Sequence, residues 1–578
     1  MGDLIIVSNR GPFSFSRDFL KEAEEDLREK RRPKVPPFGD GGLVKAMAGL
    51  LRPGRWSTTW IGASMGDSDM DVSRGHYKPL FEKMIQSKYA PKRFPLIELD
   101  ADNRMHFRFK DYDFYMRFVF FDTRHMHSYY SKFANGFLWP LVHLTRSPVF
   151  YKKTGVFPRP YFEKNDFVQY TSSGVTFANT VIDEINKHCQ FQKNGDHVVI
   201  WNQDYHLMQI SEVTRDLLRE EDFPMEQRKK IHIGQFVHTP FFNIHEIQGL
   251  IREDKRKRVK SEFYDPFNES IESVLQRLTW GMLFNDFIGF HTKEYCDHYL
   301  EALEEWFPIR IKVRDTFYEI RYQNRVTTVG ALPIGLDVDK ILSETSPGKV
   351  LKYRLGRESL YKRMMREKEG KKIIFGGLER RDYTKGLLER LRMFHHAFYQ
   401  LRDSDREAVY YQVTSPSRSS SPDYQRLTTV LEKEIDRLNQ TMPGQPIIHV
   451  DKGMPPPHNY RFMKEVDVML VTPLEDGMNL VAFEFILSQK QKNPLERGIL
   501  ALSTSGASRV LKEKGFGEED GIVYINPMKT KEAAETILQG LERGKRLSDR
   551  LIDYVEKERR VDDWAEKNIE AILNGKNV

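Results

Sequence analysis

Short apolar runs rich in β-branched residues recur along this chain, and each ends in polar or glycine residues before a helical pattern begins. Residues 4–7 run into Ser8-Asn9-Arg10-Gly11, and residues 197–201 into Asn202-Gln203-Asp204. Residues 230–237 run into His238-Thr239-Pro240, and residues 286–290 into His291-Thr292. Buried-type strands separated by helices need crossover connections, which predicts a doubly wound α/β sheet. In such sheets the polar residues at the C-terminal strand ends line the ligand crevice. A second series starts near residue 371, with strands expected at 371–375, 410–414, 447–451, 466–471, 499–503 and 522–525. Residues 331–337 read as the crossing between two domains. Two such halves in one chain predict two Rossmann-like domains facing each other across a cleft. The expected boundaries are 1–335 and 336–578, with the terminal helix packing back toward the first domain.

The most informative stretch is residues 471–484, VTPLEDGMNLVAFE. It reads as the end of a strand, a tight turn and the start of a helix. A helix N-terminus offers unpaired N–H groups and a positive dipole end, which suit a diphosphate. Gly477 permits close backbone approach, and Asp476 and Glu484 can accept hydrogen bonds from sugar hydroxyls. The plain alternative is an N-capped helix with Asp476 as its cap. Arg380 and Lys385 stand at the end of another expected strand, and two cations beside a helix N-terminus form a diphosphate site.

Composition excludes several classes. The net charge of +7 is the small difference between 90 basic and 83 acidic residues, too balanced to argue for nucleic acid. No apolar run approaches the roughly 20 residues of a membrane span. Two cysteines without a pairing pattern, Cys189 and Cys296, fit a reducing, cytoplasmic setting. The N-terminal residues read as a first strand, not a signal peptide. Asp100/Asp102 and Asp337/Asp339 match the letters of a metal-binding Asp-x-Asp, but neither follows a convincing strand with a nucleotide loop. His125 and His127 lack the further ligands of a zinc site, so no metal is expected.

Four segments read less regularly. Residues 17–37 are charged, with no apolar stripe, and suggest a solvated excursion. The glycine turn at 39–42 opens a helix and could hold a phosphate or sugar, or be a plain turn. Residues 129–140 are dense in aromatics, as core or as a platform for a sugar ring. The basic residues 252–260 read as a solvated helix face.

Seven motifs then occur in a fixed order. They are Val7-Ser8-Asn9-Arg10, Trp201…Asp204-Tyr205-His206-Leu207, Ile233-Gly234…His238-Thr239-Pro240-Phe241, Asp286…Ile288-Gly289-Phe290-His291-Thr292, Pro333-Ile334-Gly335, Arg380…Asp382-Tyr383…Lys385-Gly386 and Asp476-Gly477-Met478-Asn479-Leu480-Val481. Together they resemble the trehalose-6-phosphate synthases, glycosyltransferase family 20, of the two-Rossmann GT-B architecture.

The resemblance implies a metal-independent, retaining transfer of glucose from UDP-glucose, a co-substrate and not a cofactor, to glucose 6-phosphate. A sister reaction with glycerol 3-phosphate as acceptor and a non-catalytic homologue are the alternatives. Carried over, Arg380 and Lys385 correspond to the donor diphosphate clamp and Glu484 to the ribose carboxylate. Asp476, Gly477, Met478 and Asn479 correspond to the donor-glucose loop, and Leu480 and Val481 to amide donors for phosphate. Gly42 lies by the transferred sugar and His238 beside the donor glucose. Arg10, Tyr130, Trp139, Asp204 and Arg418 correspond to the acceptor set, with Arg10 and Arg418 on its phosphate. Arg380, Lys385, Asp476 and His238 are then the catalytic group. The implied partners are small molecules, with a homo-oligomer compatible. Arg381 stands where an apolar residue is expected, and His291 where glutamine is common.

Overall fold

The structure, a computed structural model, describes residues 2–31, 42–54, 56–86, 96–100, 104–109, 112–143, 160–189, 197–221, 223–259, 269–314, 316–322, 324–346, 353–355, 358–418 and 421–575. It divides into two compact units. One comprises Met1–Trp139, Pro160–Leu332 and Asp562–Val578, and the other Pro140–Arg159 and Pro333–Val561. Each is α/β, built on its own sheet.

Among its described residues the first unit has eleven strands: β1 (Gly2–Ser8), β2 (Trp56–Ala63), β3 (Leu96–Leu99), β4 (Met105–Phe109), β5 (Tyr112–Val119), β6 (Val198–Gln203), β7 (Ile231–Phe236), β8 (Phe287–Phe290), β9 (Arg310–Arg314), β10 (Phe317–Tyr322) and β11 (Arg325–Ala331). Their order is β3-β4-β5-β2-β1-β6-β7-β8-β11-β10-β9. The strands from β5 to β11 in that order pair in parallel, and antiparallel ribbons extend both edges. Helices cover both faces of a parallel sheet, so its strands are apolar without alternation. Leu4, Ile5, Ile6 and Val7 are all buried. On one face Ile5, Val7, Ile61, Ile200 and Ile233 pack with Phe177, Val181 and Ile185 of the helix Lys164–His188.

In the second unit, a two-stranded ribbon, β12 (Arg354–Leu355) and β13 (Glu358–Ser359), precedes the main sheet. That sheet holds β14 (Ile373–Arg380), β15 (Ala408–Ser415), β16 (Ile447–Val450), β17 (Val468–Val471), β18 (Ile499–Ser503) and β19 (Ile522–Ile525). Its order is β16-β15-β14-β17-β18-β19, all parallel. The register sets Arg380 level with Ser415. Phe375, Tyr410, Val468, Leu470 and Ile499 pack with Leu391, Phe394 and Phe398 of the helix Leu387–Asp403.

Several expectations are revised. The segment 17–37 is not a loop throughout: Arg17–Arg28 is a helix. Ser16 accepts the Phe19 N–H at its start (3.2 Å), and Leu20 and Ala23 are buried, a stripe too short to stand out among the charges. Residues 32–41, with most of the glycine turn, lie outside the described residues, and Gly42 begins the helix Gly42–Met47. Residues 129–140 lie largely in His127–Leu138, a stretch of π-helix, a form frequent at functional sites. Of the basic run 252–260, residues 252–259 end the helix Ile244–Val259, which buries Ile247 and Ile251, and residue 260 lies outside the described residues. The charged closing helix is two, Asp549–Glu558 and Val561–Asn574. No helix among the described residues is long and apolar enough to cross a membrane.

Candidate functional site

Strand alternation decides what the end of β14 presents. Glu379 is buried and Arg380, the last residue of the strand, is exposed. The chain then turns through Tyr383–Lys385, one turn of 3-10 helix, to Gly386. Gly386 has φ +61°, and a Cβ there would lie 2.0 Å from the Thr472 carbonyl oxygen. Only glycine brings this turn so close to the end of β17.

Lys385, 7% exposed, reaches across and forms an ion pair with Asp476. Burial pushes the Lys385 ammonium down, but the Asp476 and Glu379 carboxylates outweigh it and hold the amine protonated, above its ordinary value. Asn479 joins both carboxylates, donating from Nδ2 to Glu379 Oε1 (2.7 Å) and to Asp476 Oδ2 (3.3 Å). Behind them the fully buried Arg390 donates to Thr472 Oγ1 (2.9 Å).

The loop before Asn479 is pinned by its neighbours. Leu474 N–H donates to the Thr384 carbonyl (2.7 Å) and Gly506 N–H to the Asp476 carbonyl (2.9 Å). Ser503 Oγ donates to the Pro473 carbonyl, and Arg509 to both Glu475 oxygens. A Cβ on Gly506 would sit 1.8 Å from the Gly477 carbonyl oxygen, so that carbonyl rests on glycine. Met478 is buried in the same loop.

The cap of the helix Leu480–Ser488 is Asn479, not Asp476: Asn479 Oδ1 accepts the Val481 N–H (3.1 Å). Asp476 is instead the counter-ion of Lys385. The Val481 amide is therefore already satisfied within the protein. Glu484 lies one turn into this helix, half-buried, and with burial raises the Tyr460 hydroxyl.

Arg418 follows β15, with φ +43°. Its Nη1 donates to Asp382 Oδ2 (2.9 Å) and to the Tyr424 hydroxyl. Arg381 donates to the Asp451 carbonyl (3.3 Å), which accounts for a cation in place of an apolar residue.

The first unit gathers a second set at the ends of β1, β6 and β7. Arg10 donates to the Tyr130 hydroxyl (2.8 Å). The Tyr129 hydroxyl donates to Asn9 Oδ1 (2.8 Å), so the π-helix is tied to the end of β1. Tyr130 stacks on His206 (5.6 Å between centroids), and Trp139 lies 5.9 Å from Tyr205.

Asp204, directly after β6, has φ +70° and ψ 179°, a conformation essentially confined to glycine. Its N–H donates to the Phe236 carbonyl (2.7 Å) and its carbonyl accepts from Gln235 (3.2 Å). Its carboxylate accepts the His238 N–H (3.3 Å). The His238 ring meets Gln203 Oε1 through Nε2 (3.0 Å), which puts its proton on Nε2. Phe236, His291 and Trp564 surround the ring, at 4.7, 5.4 and 6.0 Å. Burial pushes the imidazole down to about 3, so it is neutral at any ordinary pH. His291, buried, takes part as a wall of this pocket.

The remaining candidates have structural roles. Asp337 accepts the Lys340 N–H as a helix cap (3.1 Å) and Asp339 pairs with Arg560. His125 stacks on Phe121 and meets Ser173 Oγ (2.7 Å). Asp102 lies outside the described residues. Among the described residues no group of three or more His, Cys, Asp or Glu is arranged to hold a metal ion. A cavity of ≈ 210 Å³ in the first unit is lined by Arg219, Trp280, Tyr322 and Arg325 among others, and includes none of the expected site residues.

The sequence reading gave no individual role to Glu379, Asp382, Arg390, Thr472 and Tyr424 in the second unit, or to Gln203 and Trp564 in the first. Strand alternation at 373–380 could have found Glu379. Trp564 gave no signal, since the rings of Trp201, Phe236 and His238 that it packs against lie more than three hundred residues away in the chain.

Two outcomes follow for the first unit. Asp204→Gly and Asp204→Ala both remove the carboxylate, but only glycine suits this backbone. The glycine variant should be the more stable of the two by about 1–3 kcal/mol in chemical denaturation; equal stabilities would mean the backbone is unstrained. The second outcome concerns pH. The folded-state value of His238 lies below the 6.5 of a free imidazole. As pH falls below about 6.5 the unfolded chain takes up a proton that the folded one refuses, so stability is lost on acidification. The stability advantage of wild type over His238→Gln should therefore shrink as the pH is lowered from 6.5 toward 4, and a constant advantage would contradict the assignment.

Comparison with known proteins now bears on this geometry. The model of glycosyltransferase family 20 matches residues 2–249 and 270–574. A UDP-forming alpha,alpha-trehalose-phosphate synthase of Pichia angusta is 29% identical over 574 residues, covering 96% of both chains. The 56 kDa subunit of the corresponding Saccharomyces cerevisiae enzyme is 28% identical, covering 93% of this chain and 87% of the relative. Among solved structures, the Burkholderia xenovorans synthase in complex with glucose-6-phosphate superposes with a TM-score of 0.67 at 21% identity, covering 99% of this chain and 100% of that one. The E. coli protein bound with UDP-2-fluoro glucose gives 0.67 at 20%, covering 99% of both. The fold is thus the GT-B class of those structures, with two Rossmann-like α/β units. A chain matched by one family model along nearly its whole length belongs to glycosyltransferase family 20.

Proposed function

We propose that this chain is a trehalose-6-phosphate synthase. It moves glucose from UDP-glucose to glucose 6-phosphate with retention at the anomeric carbon, giving trehalose 6-phosphate and UDP. The observation that carries this reading is the buried Lys385–Asp476 pair, bridged by Asn479 to Glu379, with Arg380 exposed beside it at the strand end. A cation held charged next to a carboxylate suits a donor that brings both a diphosphate and sugar hydroxyls.

In this reading Lys385 and Arg380 take the diphosphate, and Asp476 and the loop through Asn479 take the glucose hydroxyls. Glu484 takes the ribose and Gly42 lies by the transferred sugar. Leu480 supplies a helix N-terminal amide, and Val481 does so once Asn479 releases it. Arg10, Tyr130, Trp139, Asp204 and Arg418 serve the acceptor, and neutral His238 stands by the donor glucose.

The acceptor hydroxyl attacks the anomeric carbon from the face the diphosphate leaves, and a leaving oxygen takes its proton. The protein contributes orientation and stabilisation of the charge developing on the diphosphate. Asp476 is already engaged by Lys385 and Asn479, so it is not assigned as a covalent nucleophile. No metal is assigned a role, and the substrates imply a cytoplasmic enzyme.

Incubation with UDP-, GDP- and ADP-glucose against a panel of phosphorylated acceptors should yield trehalose 6-phosphate with UDP-glucose and glucose 6-phosphate. Transfer to glycerol 3-phosphate instead, or no transfer at all, would refute the proposal. Arg380→Ala and Lys385→Ala should each weaken UDP binding by about 1.5–3 kcal/mol, the scale of a charged hydrogen bond. Unchanged UDP affinity in calorimetry would remove these residues from the clamp.

A further inference from the structure

Asp382 has no exposed surface and stands between Arg380 and Lys385 in the sequence. Its two oxygens are divided between two tasks. Oδ1 accepts the Thr384 N–H (3.1 Å) and the Thr384 hydroxyl (3.0 Å), capping the turn that carries Lys385. Oδ2 accepts Arg418 Nη1 (2.9 Å) and the Tyr424 hydroxyl (3.0 Å). Arg418 also donates to the Tyr424 oxygen, which closes a triangle of three side chains. Burial pushes the Asp382 carboxyl up, but Arg418, Arg380 and Lys385 together bring it down to about 2. It is a permanent anion among three cations.

A buried carboxylate so placed does more than hold a turn. A guanidinium is flat and rigid, so fixing one nitrogen constrains the whole plane. Two-point recognition of a phosphate depends on that plane. Arg418 needs such a constraint, because its backbone is in the left-handed region and its side chain is long. We propose that Asp382, with Tyr424, is a positioning residue that aims Arg418 at the phosphate of the acceptor, and so sets selectivity for a phosphorylated acceptor. This rests on the reading of the chain as a transferase to a sugar phosphate.

The test uses the full-length protein. Asp382→Asn keeps an oxygen for Thr384 and removes the charge that holds Arg418. It should raise KM for glucose 6-phosphate about tenfold, as expected for one charge-assisted contact, and leave kcat and the Kd for UDP within about threefold. On an Arg418→Ala background it should add nothing to KM, because the residue it acts through is gone. A merely structural role would instead shift KM and UDP affinity together, or add to Arg418→Ala, and either result overturns the proposal. Tyr424→Phe keeps the carboxylate and removes one corner of the triangle. Should the asparagine variant fail to fold, Tyr424→Phe must still show the KM rise without loss of UDP affinity, and an unchanged KM overturns the proposal. Absence of transfer by the wild-type protein would overturn the functional reading together with this role. An active wild type whose Asp382→Asn variant loses glucose 6-phosphate KM and UDP affinity alike would overturn this role alone.

Discussion

The architecture of the second unit turns on one buried ion pair, Lys385 with Asp476. Neither group could be buried alone, since an unpaired charge in an apolar interior costs several kcal/mol. Their pairing therefore dictates what lies around them. Gly386 must be left-handed to bring the Lys385 turn against Thr472, and Gly506 must lack a side chain for the Asp476 loop to rest on it. Asn479 links the pair to Glu379, and Glu379 faces the buried Arg390 (3.9 Å). The result is an alternating set of charges at the ends of β14 and β17. Such a set complements the donor it is proposed to bind, with cations for the anionic diphosphate and carboxylates to accept from the neutral hydroxyls. A ligand phosphate can take over the role of Asp476 toward Lys385, and the freed carboxylate can turn to a sugar hydroxyl.

The first unit solves a different problem, that of holding a neutral imidazole and a strained backbone still. His238 is neutral because it is walled by Phe236, His291 and Trp564. Asp204 is held in a strained backbone by hydrogen bonds to β7. Strain of this kind persists only where the surroundings over-determine it, and here they do so at the strand ends where α/β sheets bind ligands.

Much of this was legible in the amino-acid order. Apolar runs with polar ends marked β1, β6, β7 and β8 because parallel strands covered on both faces must be apolar throughout. The loop at Pro473–Asn479 was legible for the same reason, as punctuation between β17 and a helix. What stayed hidden depended on partners distant in sequence. The edge strands β3, β4, β9 and β10 are short, and several alternate or are charged, so the sequence reading marked no strands there. The helix Arg17–Arg28 buries only Leu20 and Ala23, too little to register. The plain alternative put the cap of the helix Leu480–Ser488 on Asp476, and Asn479 holds it instead, because Lys385, ninety-one residues away in the chain, claims the aspartate. Local propensity cannot see such a competitor.

The sharpest test of the ion pair as the organising element is calorimetry of Asp476→Asn with UDP and with UDP-glucose. If Asp476 trades Lys385 for a sugar hydroxyl, the variant should bind UDP at least as tightly as wild type, since Lys385 has lost its competitor. The same variant should bind UDP-glucose no more tightly than UDP. UDP-glucose affinity equal to that of the wild type would show that the carboxylate never reaches the sugar, and would contradict the account.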